Sequence, residues 1–414
     1  MCVLGVLAAC GPATTTTGPI APTAGSGSGS PAIASPPTPP AAPAAAGACK
    51  TGTLSLGPET DYPPPPGASG ALASGLLNPD APIDLVVGGA DASGHGTLGV
   101  MIGTGDGTFK PPVAYQLLPG GVARSVALSD FDTDEDLDIV TAGGSGTPEL
   151  FLNNGDGTFG TPVALPPATG PAVAGANVVV RVADIHGDAH PDIVTYAGRG
   201  FDVWHDEGRA TFVVSALPPI DGLEHGAGLA IADINGDGAT DVAVAGTDHG
   251  VATIAVLMGK TGGRFAPAAR TPFPGVGGTA AAVVIGDFDG DHRLDVAALF
   301  VDGATGTIVI MAGTGSSSAI STKLPVADTT STEAADALVA ADLDGDGRTD
   351  LAVTTASGVV VYRALAAGGF GPAVTVPGHD LRAVIAGDFR GEHLLGLAAT
   401  RANGHAVVWP ASCQ

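Results

Sequence analysis

The chain has 414 residues, 64 of them Gly and 34 Pro, a share near that of low-complexity sequences. Yet 44% are hydrophobic, enough to build a core over most of its length, which excludes a fully disordered protein. Acids outnumber bases by 41 to 16, a formal net charge of −25, which argues against nucleic acid or anionic lipid as a partner.

No apolar run reaches the roughly 18 residues of a membrane-spanning helix. The length admits two or three domains or a single repeat array. At the N-terminus, Val3 to Ala9 are apolar or small and end at Cys10. The stretch Leu7-Ala8-Ala9-Cys10 resembles the lipobox of bacterial lipoproteins. That resemblance implies cleavage before Cys10, acylation of Cys10 and an outward-facing place on a bacterial cell envelope; simple secretion is the other reading. The signal is short and lacks a basic n-region, as a start assigned too late would leave it. Residues 11–48 are almost all Ala, Pro, Gly, Ser and Thr without a charge, so they cannot bury enough surface to order and read as a linker.

From residue 49 to 414 an Asp-rich signature recurs. It reads Asp130-Phe-Asp132-Thr-Asp134-Glu-Asp136-Leu-Asp138, then Asp184-Ile-His186-Gly-Asp188-Ala-His190-Pro-Asp192, then Asp233-Ile-Asn235-Gly-Asp237-Gly-Ala239-Thr-Asp241. It continues as Asp287-Phe-Asp289-Gly-Asp291-His-Arg293-Leu-Asp295 and Asp342-Leu-Asp344-Gly-Asp346-Gly-Arg348-Thr-Asp350. Worn copies at Leu76–Asp84 and Asp388–Gly396 bring the units to seven, with a period of about 52 residues. In each unit short Val- and Ile-rich runs flank the loop, as at Val126–Leu128 and Leu137–Val140. A Gly-rich turn leads to a third run, as at Leu150–Leu152, and a second turn ends in Phe, as in Gly155-Asp156-Gly157-Thr158-Phe159, before a fourth. Short β-branched runs bounded by turn residues are strands. Four strands per unit and seven units predict an all-β, seven-bladed propeller; an open solenoid is the rival.

The last unit stops after its third strand, Ala406–Trp409, while the domain begins with Cys49-Lys-Thr-Gly-Thr53-Leu54-Ser-Leu56, which resembles the turn and fourth strand of the other units. The N-terminal strand is therefore expected to complete blade 7. This places Cys49 and Cys413 at one turn, and a disulfide between them is expected; two separate thiols are the alternative.

Alternating Asp or Asn side chains in a tight loop point hard, largely anionic oxygens at one place, which suits Ca²⁺ better than Mg²⁺ or Zn²⁺. Nearly half of the 41 acids lie in the five full loops, where carboxylates without a cation repel. Plain Asp/Gly turns on a solvated rim are the bland reading. An EF-hand does not fit, because its twelfth position here is Val244 or Val353 and a strand follows the loop.

The loop pattern, the apolar strand after it and Gly-Asp-Gly-Thr-Phe downstream resemble FG-GAP/VCBS repeats, the units of the calcium-binding propeller of integrin α-subunits and many bacterial surface proteins. The resemblance covers about 49–414 and implies side-chain ligands at loop positions 1, 3, 5 and 9 and a carbonyl at position 7. It assigns Asp130, Asp132, Asp134 and Asp138 with the carbonyl of Asp136; Asp233, Asn235, Asp237 and Asp241 with that of Ala239; Asp287, Asp289, Asp291 and Asp295 with that of Arg293; and Asp342, Asp344, Asp346 and Asp350 with that of Arg348. In the loop of Asp184, Asp188 and Asp192, His186 stands at position 3 and either weakens the site or turns away. Leu76 and Arg390 spoil the worn loops, where the Arg390 guanidinium would stand in for a cation. Four good calcium sites, one doubtful and two empty are expected.

No His-Glu-x-x-His, nucleophile elbow or complete P-loop occurs. Trp204 and Trp409 share a third-strand position with Met101, Phe151, Leu257 and Tyr362, which reads as blade-to-blade packing. The expectation is a non-catalytic, monomeric surface or adhesion module for a protein or glycan, touching a membrane only through its lipid. The alternative is a propeller enzyme acting on a cell-envelope polymer.

Overall fold

The computed structural model describes residues 54–413 apart from 64–67, 81, 91–94, 144–146, 170–177, 198–199, 219, 314–320 and 330–335. Residues 1–53, with Cys10, the stretch 11–48 expected to be a linker, and Cys49 of the expected disulfide, lie outside the described residues. The described chain is all strand and turn.

Seven antiparallel four-stranded sheets follow one another. Blade 2 is typical: Ser125–Ser129, Asp138–Ala142, Glu149–Phe151 and Val163–Ala164, hydrogen-bonded in that order. The first strands of successive blades lie against one another around the ring, and Leu381–Gly387 of blade 7 lies against Ala68–Gly75 of blade 1. That last contact closes a propeller and excludes the open solenoid. Second strands such as Asp138–Ala142 are buried at every residue, because each sits mid-sheet with a neighbouring blade on both faces. This is why those runs are continuously apolar instead of alternating.

The core is divided into seven clusters, one between each pair of neighbouring blades. The bulky third-strand position behaves as expected. Trp204 packs against blade 2, Trp409 against blade 6 and Phe151 against blade 1. The residue after the first Asp of each loop points to the following blade. Phe131 meets Phe212 edge-on at 5.8 Å and Phe389 meets Phe109 at 5.9 Å. Each loop is thus stapled to the next blade by an aromatic or aliphatic plug.

The N-terminal segment closes blade 7, but not with the residues expected. The fourth strand is Thr60–Tyr62, which pairs with Ala406–Trp409. Leu54–Leu56 forms a separate two-stranded ladder with Ala411–Cys413, with Leu54 opposite Cys413. Its Leu56–Ala411 pair has the place of the bridges Phe109–Gly103 and Phe159–Asn153 in blades 1 and 2. The residues around Leu54 are therefore the Phe-type turn alone, with an apolar Leu56 in the aromatic's place. Buried Arg401 secures the closing strand through Glu59 and through Asp61 at 2.9 Å, and His405 adds a 2.6 Å contact to Asp61.

Candidate metal centres

Each Asp loop joins the first strand of a blade to the second, and its fold is local. The position 1 carboxylate gathers the N–H groups of positions 4 to 6. Asp233 accepts from Gly236 at 2.7 Å, Asp237 at 3.0 Å and Gly238 at 2.8 Å, and Asp130 accepts likewise from Thr133, Asp134 and Glu135. Curling the backbone around one carboxylate forces positions 4 and 6 to positive φ, with Gly345 at 75° and Gly347 at 85°. Glycine accepts this freely. Blade 2 reaches the same shape with Thr133 at 66° and Glu135 at 75°.

The position 9 aspartates do more than the spacing implied. Asp84, Asp138, Asp192, Asp241, Asp295 and Asp350 each open a second strand and are at most 1% exposed. One oxygen accepts the N–H of loop position 2, as from Phe131 to Asp138 at 2.9 Å. The other accepts an N–H just past the third strand, as from Asn153 at 2.8 Å. One carboxylate thus ties three segments of a blade together. Burial, against these N–H donors, pushes Asp138 and Asp350 up to about 7 and Asp84, Asp241 and Asp295 to about 6. In blade 7 the position is Gly396 and this tie is missing.

Ligand oxygens converge in three of the loops expected to bind. Oxygens of Asp130, Asp132 and Asp138 lie within 4.8 Å of one another, as do those of Asp287, Asp289 and Asp291, and those of Asp342, Asp344 and Asp350. Asp132 Oδ1 and Asp344 Oδ1 are buried without a hydrogen-bond partner. Burial and then the adjacent carboxylates, Asp134 and Asp346 respectively, raise both groups above the usual carboxylate range. Orphaned oxygens among other carboxylates fit Ca²⁺, a cation that takes oxygen ligands. The same residues would hold it in both loops, with carbonyls from Asp136 and Arg348.

The other loops differ. At Asp233 the Asn235 amide accepts from Asp237 N–H at 2.8 Å and donates to Asp237 Oδ2 at 3.0 Å, so the loop also closes by its own hydrogen bonds. In blade 6 the Arg348 guanidinium turns back onto Asp346, and Arg363 stands 3.8 Å from Asp344. The resemblance gives Arg348 a role only through its carbonyl; the structure adds its side chain. In blade 7, Arg390 lies 3.7 Å from Glu392. In blade 3, His186 does not turn away. Its Nδ1 is 2.8 Å from Asp192 Oδ2, and His205, from the end of the third strand, brings its own Nδ1 to 2.8 Å from Asp192 Oδ1. His205 escaped the sequence reading because it lies outside the loop. Its signal was its position: the equivalent residues are Ile102, Leu152, Met258, Ala312 and Arg363.

A family model described as FG-GAP-like repeat matches residues 77–141, 130–195 and 233–298. Each match spans from one Asp loop to the second strand of the next blade. No curated protein matches the chain. The BP39L lectin from Burkholderia pseudomallei is similar over 83% of this chain and 96% of its own, at 17% identity and TM-score 0.56. BBS1N, solved in complex with ARL6DN, is similar over 86% of this chain and 96% of its own, at 15% identity and TM-score 0.56. At such identities the likeness is one of fold. Together with the Asp loop at the same place in successive blades of a closed ring of seven, the repeat matches show FG-GAP-like repeats over 77–195 and 233–298 and support an FG-GAP-repeat β-propeller.

Proposed function

We propose that this propeller is an exported, lipid-anchored, calcium-binding module that holds a protein or glycan on the outside of a bacterial cell without chemical turnover. The observation that carries the calcium reading is the convergence of Asp130, Asp132 and Asp138, and of Asp342, Asp344 and Asp350, with an unpartnered buried oxygen in each set. Bound Ca²⁺ would neutralise these carboxylates and hold each loop against the next blade, so that one face of the ring keeps a fixed shape for its ligand. Anchoring rests on Leu7-Ala8-Ala9-Cys10 and on the uncharged segment that follows. BP39L is a lectin of the same architecture, which makes glycans the first ligand class to screen.

The test is thermal unfolding of the full chain in EDTA and across a Ca²⁺ titration. A saturable rise in midpoint, larger than with Mg²⁺, is expected; no shift would reduce the loops to plain turns. Glycan and envelope-polymer screens in calcium buffer, read for both binding and substrate loss, test the non-catalytic role, and turnover would overturn it. Mass analysis of the membrane-extracted protein tests acylation at Cys10.

A further inference from the structure

Blade 3 departs from the repeat at two positions at once. Loop position 3 is Asp or Asn in the four other full loops and His186 here; the position after the bulky third-strand residue is His205 and nowhere else a histidine. The two lie on different elements, yet their rings sit 3.6 Å apart between centroids, tilted by 38°. Both are about a quarter exposed, so solvent and ions reach them.

The surroundings order these rings for a ligand. Asp192 is fully buried, and its oxygens already accept the N–H groups of Ile185 at 2.9 Å and Asp206 at 3.0 Å. Each Nδ1 faces this carboxylate at 2.8 Å and donates to it, so in the neutral imidazole the lone pair is on Nε2. A buried carboxylate that fixes the tautomer of an imidazole is the usual support of a metal-ligating histidine. His205 Nε2 lies 3.5 Å from Asp188 Oδ2. Gly263, from a turn of blade 4, packs over the face of the His186 ring, where a Cβ would stand 2.5 Å from Cδ2 and 2.6 Å from Nε2.

We propose that blade 3 holds a divalent transition-metal site, with Zn²⁺ as its probe ion, built from His186, His205 and Asp188 and oriented by Asp192. Imidazole nitrogen suits Zn²⁺ and its first-row neighbours, whereas Ca²⁺ prefers oxygen. The exchange of an oxygen ligand for His186 thus changes which ion the blade selects. The site stands apart from calcium binding by the other loops.

The experiment is a calorimetric titration of the full, untagged chain with Zn²⁺ in saturating Ca²⁺. One tight equivalent of Zn²⁺ is expected. His205→Leu, which installs the residue that blade 2 has there, should weaken Zn²⁺ binding at least tenfold, and a cooperative melt in Ca²⁺ identifies the variant as folded although Asp192 loses one donor. His186→Asp, which restores the common loop, should lose Zn²⁺ and gain a calcium equivalent. A measurement on the unmodified protein needs no variant: Zn²⁺ should protect His186 and His205 from diethyl pyrocarbonate but not His249 and His292, which are 95% and 96% exposed. Absence of a tight Zn²⁺ equivalent, unchanged affinity in a folded His205→Leu protein, or equal modification of all four histidines with and without Zn²⁺ would each overturn the proposal.

Discussion

Arg181, on the innermost strand of blade 3, reaches Asp336 at the entry of blade 6 with a nitrogen–oxygen distance of 2.6 Å. Blades 3 and 6 are not neighbours, so the pair crosses the central channel. The same aspartate accepts Val384 N–H from blade 7 through its carbonyl, at 2.8 Å. Asp336 therefore links three blades that share no sheet, by two separate contacts. The pair is partly exposed, so its contribution is modest. A double-mutant cycle of Arg181→Ala and Asp336→Ala should give a coupling of about 1 kcal/mol at low salt, falling as salt is added.

Asp344 gives a sign-reversing test of the calcium loops. Without metal its buried, unpartnered oxygen and its carboxylate neighbours oppose folding, and Arg363, 3.8 Å from its other oxygen, offsets this only in part. Asp344→Asn should therefore leave the protein in EDTA as stable as the parent, or more so. In Ca²⁺ the order should invert, with a deficit of up to about 2.7 kcal/mol when the ion is present at about 100 times its dissociation constant. Paired melting curves decide it; the same order in both buffers would mean that no cation sits there.

The position 9 aspartates predict an unusual pH dependence for the metal-free protein. Burial raises Asp138 and Asp350 to about 7 and Asp84, Asp241 and Asp295 to about 6 in the folded state, while the unfolded chain releases these protons near the ordinary 3.8. Between those values the folded protein binds more protons, so stability falls as pH rises. In EDTA the midpoint should be higher at pH 5 than at pH 8. Saturating Ca²⁺, which favours the charged carboxylates, should remove or reverse this slope. A midpoint in EDTA that rises from pH 5 to pH 8 would contradict the burial argument.

Thr133 offers a stabilising substitution. It holds φ at 66°, a conformation that costs a β-branched residue roughly 1–2 kcal/mol and that Gly adopts freely. Thr133→Gly keeps the N–H that donates to Asp130. It should stabilise the folded protein by about 1 kcal/mol, less the entropy Gly gains in the unfolded chain, read from denaturant or thermal midpoints.

The blade count, the loops and the inter-blade role of Trp204 and Trp409 were legible in the residues, because a repeat writes the same local chemistry seven times. Glycine at loop positions 4 and 6 follows from a curl around one carboxylate that needs no distant partner. Tertiary structure decided the rest. It placed Thr60–Tyr62, not the residues around Leu54, in blade 7, because the ladder to Ala411–Cys413 uses the first segment. It set His205 over His186, turned Arg348 onto Asp346 and sent Arg181 across the channel. These pairings depend on how separate strands register and which side chains meet in the closed ring, whereas the period of a sequence records only what recurs within each unit.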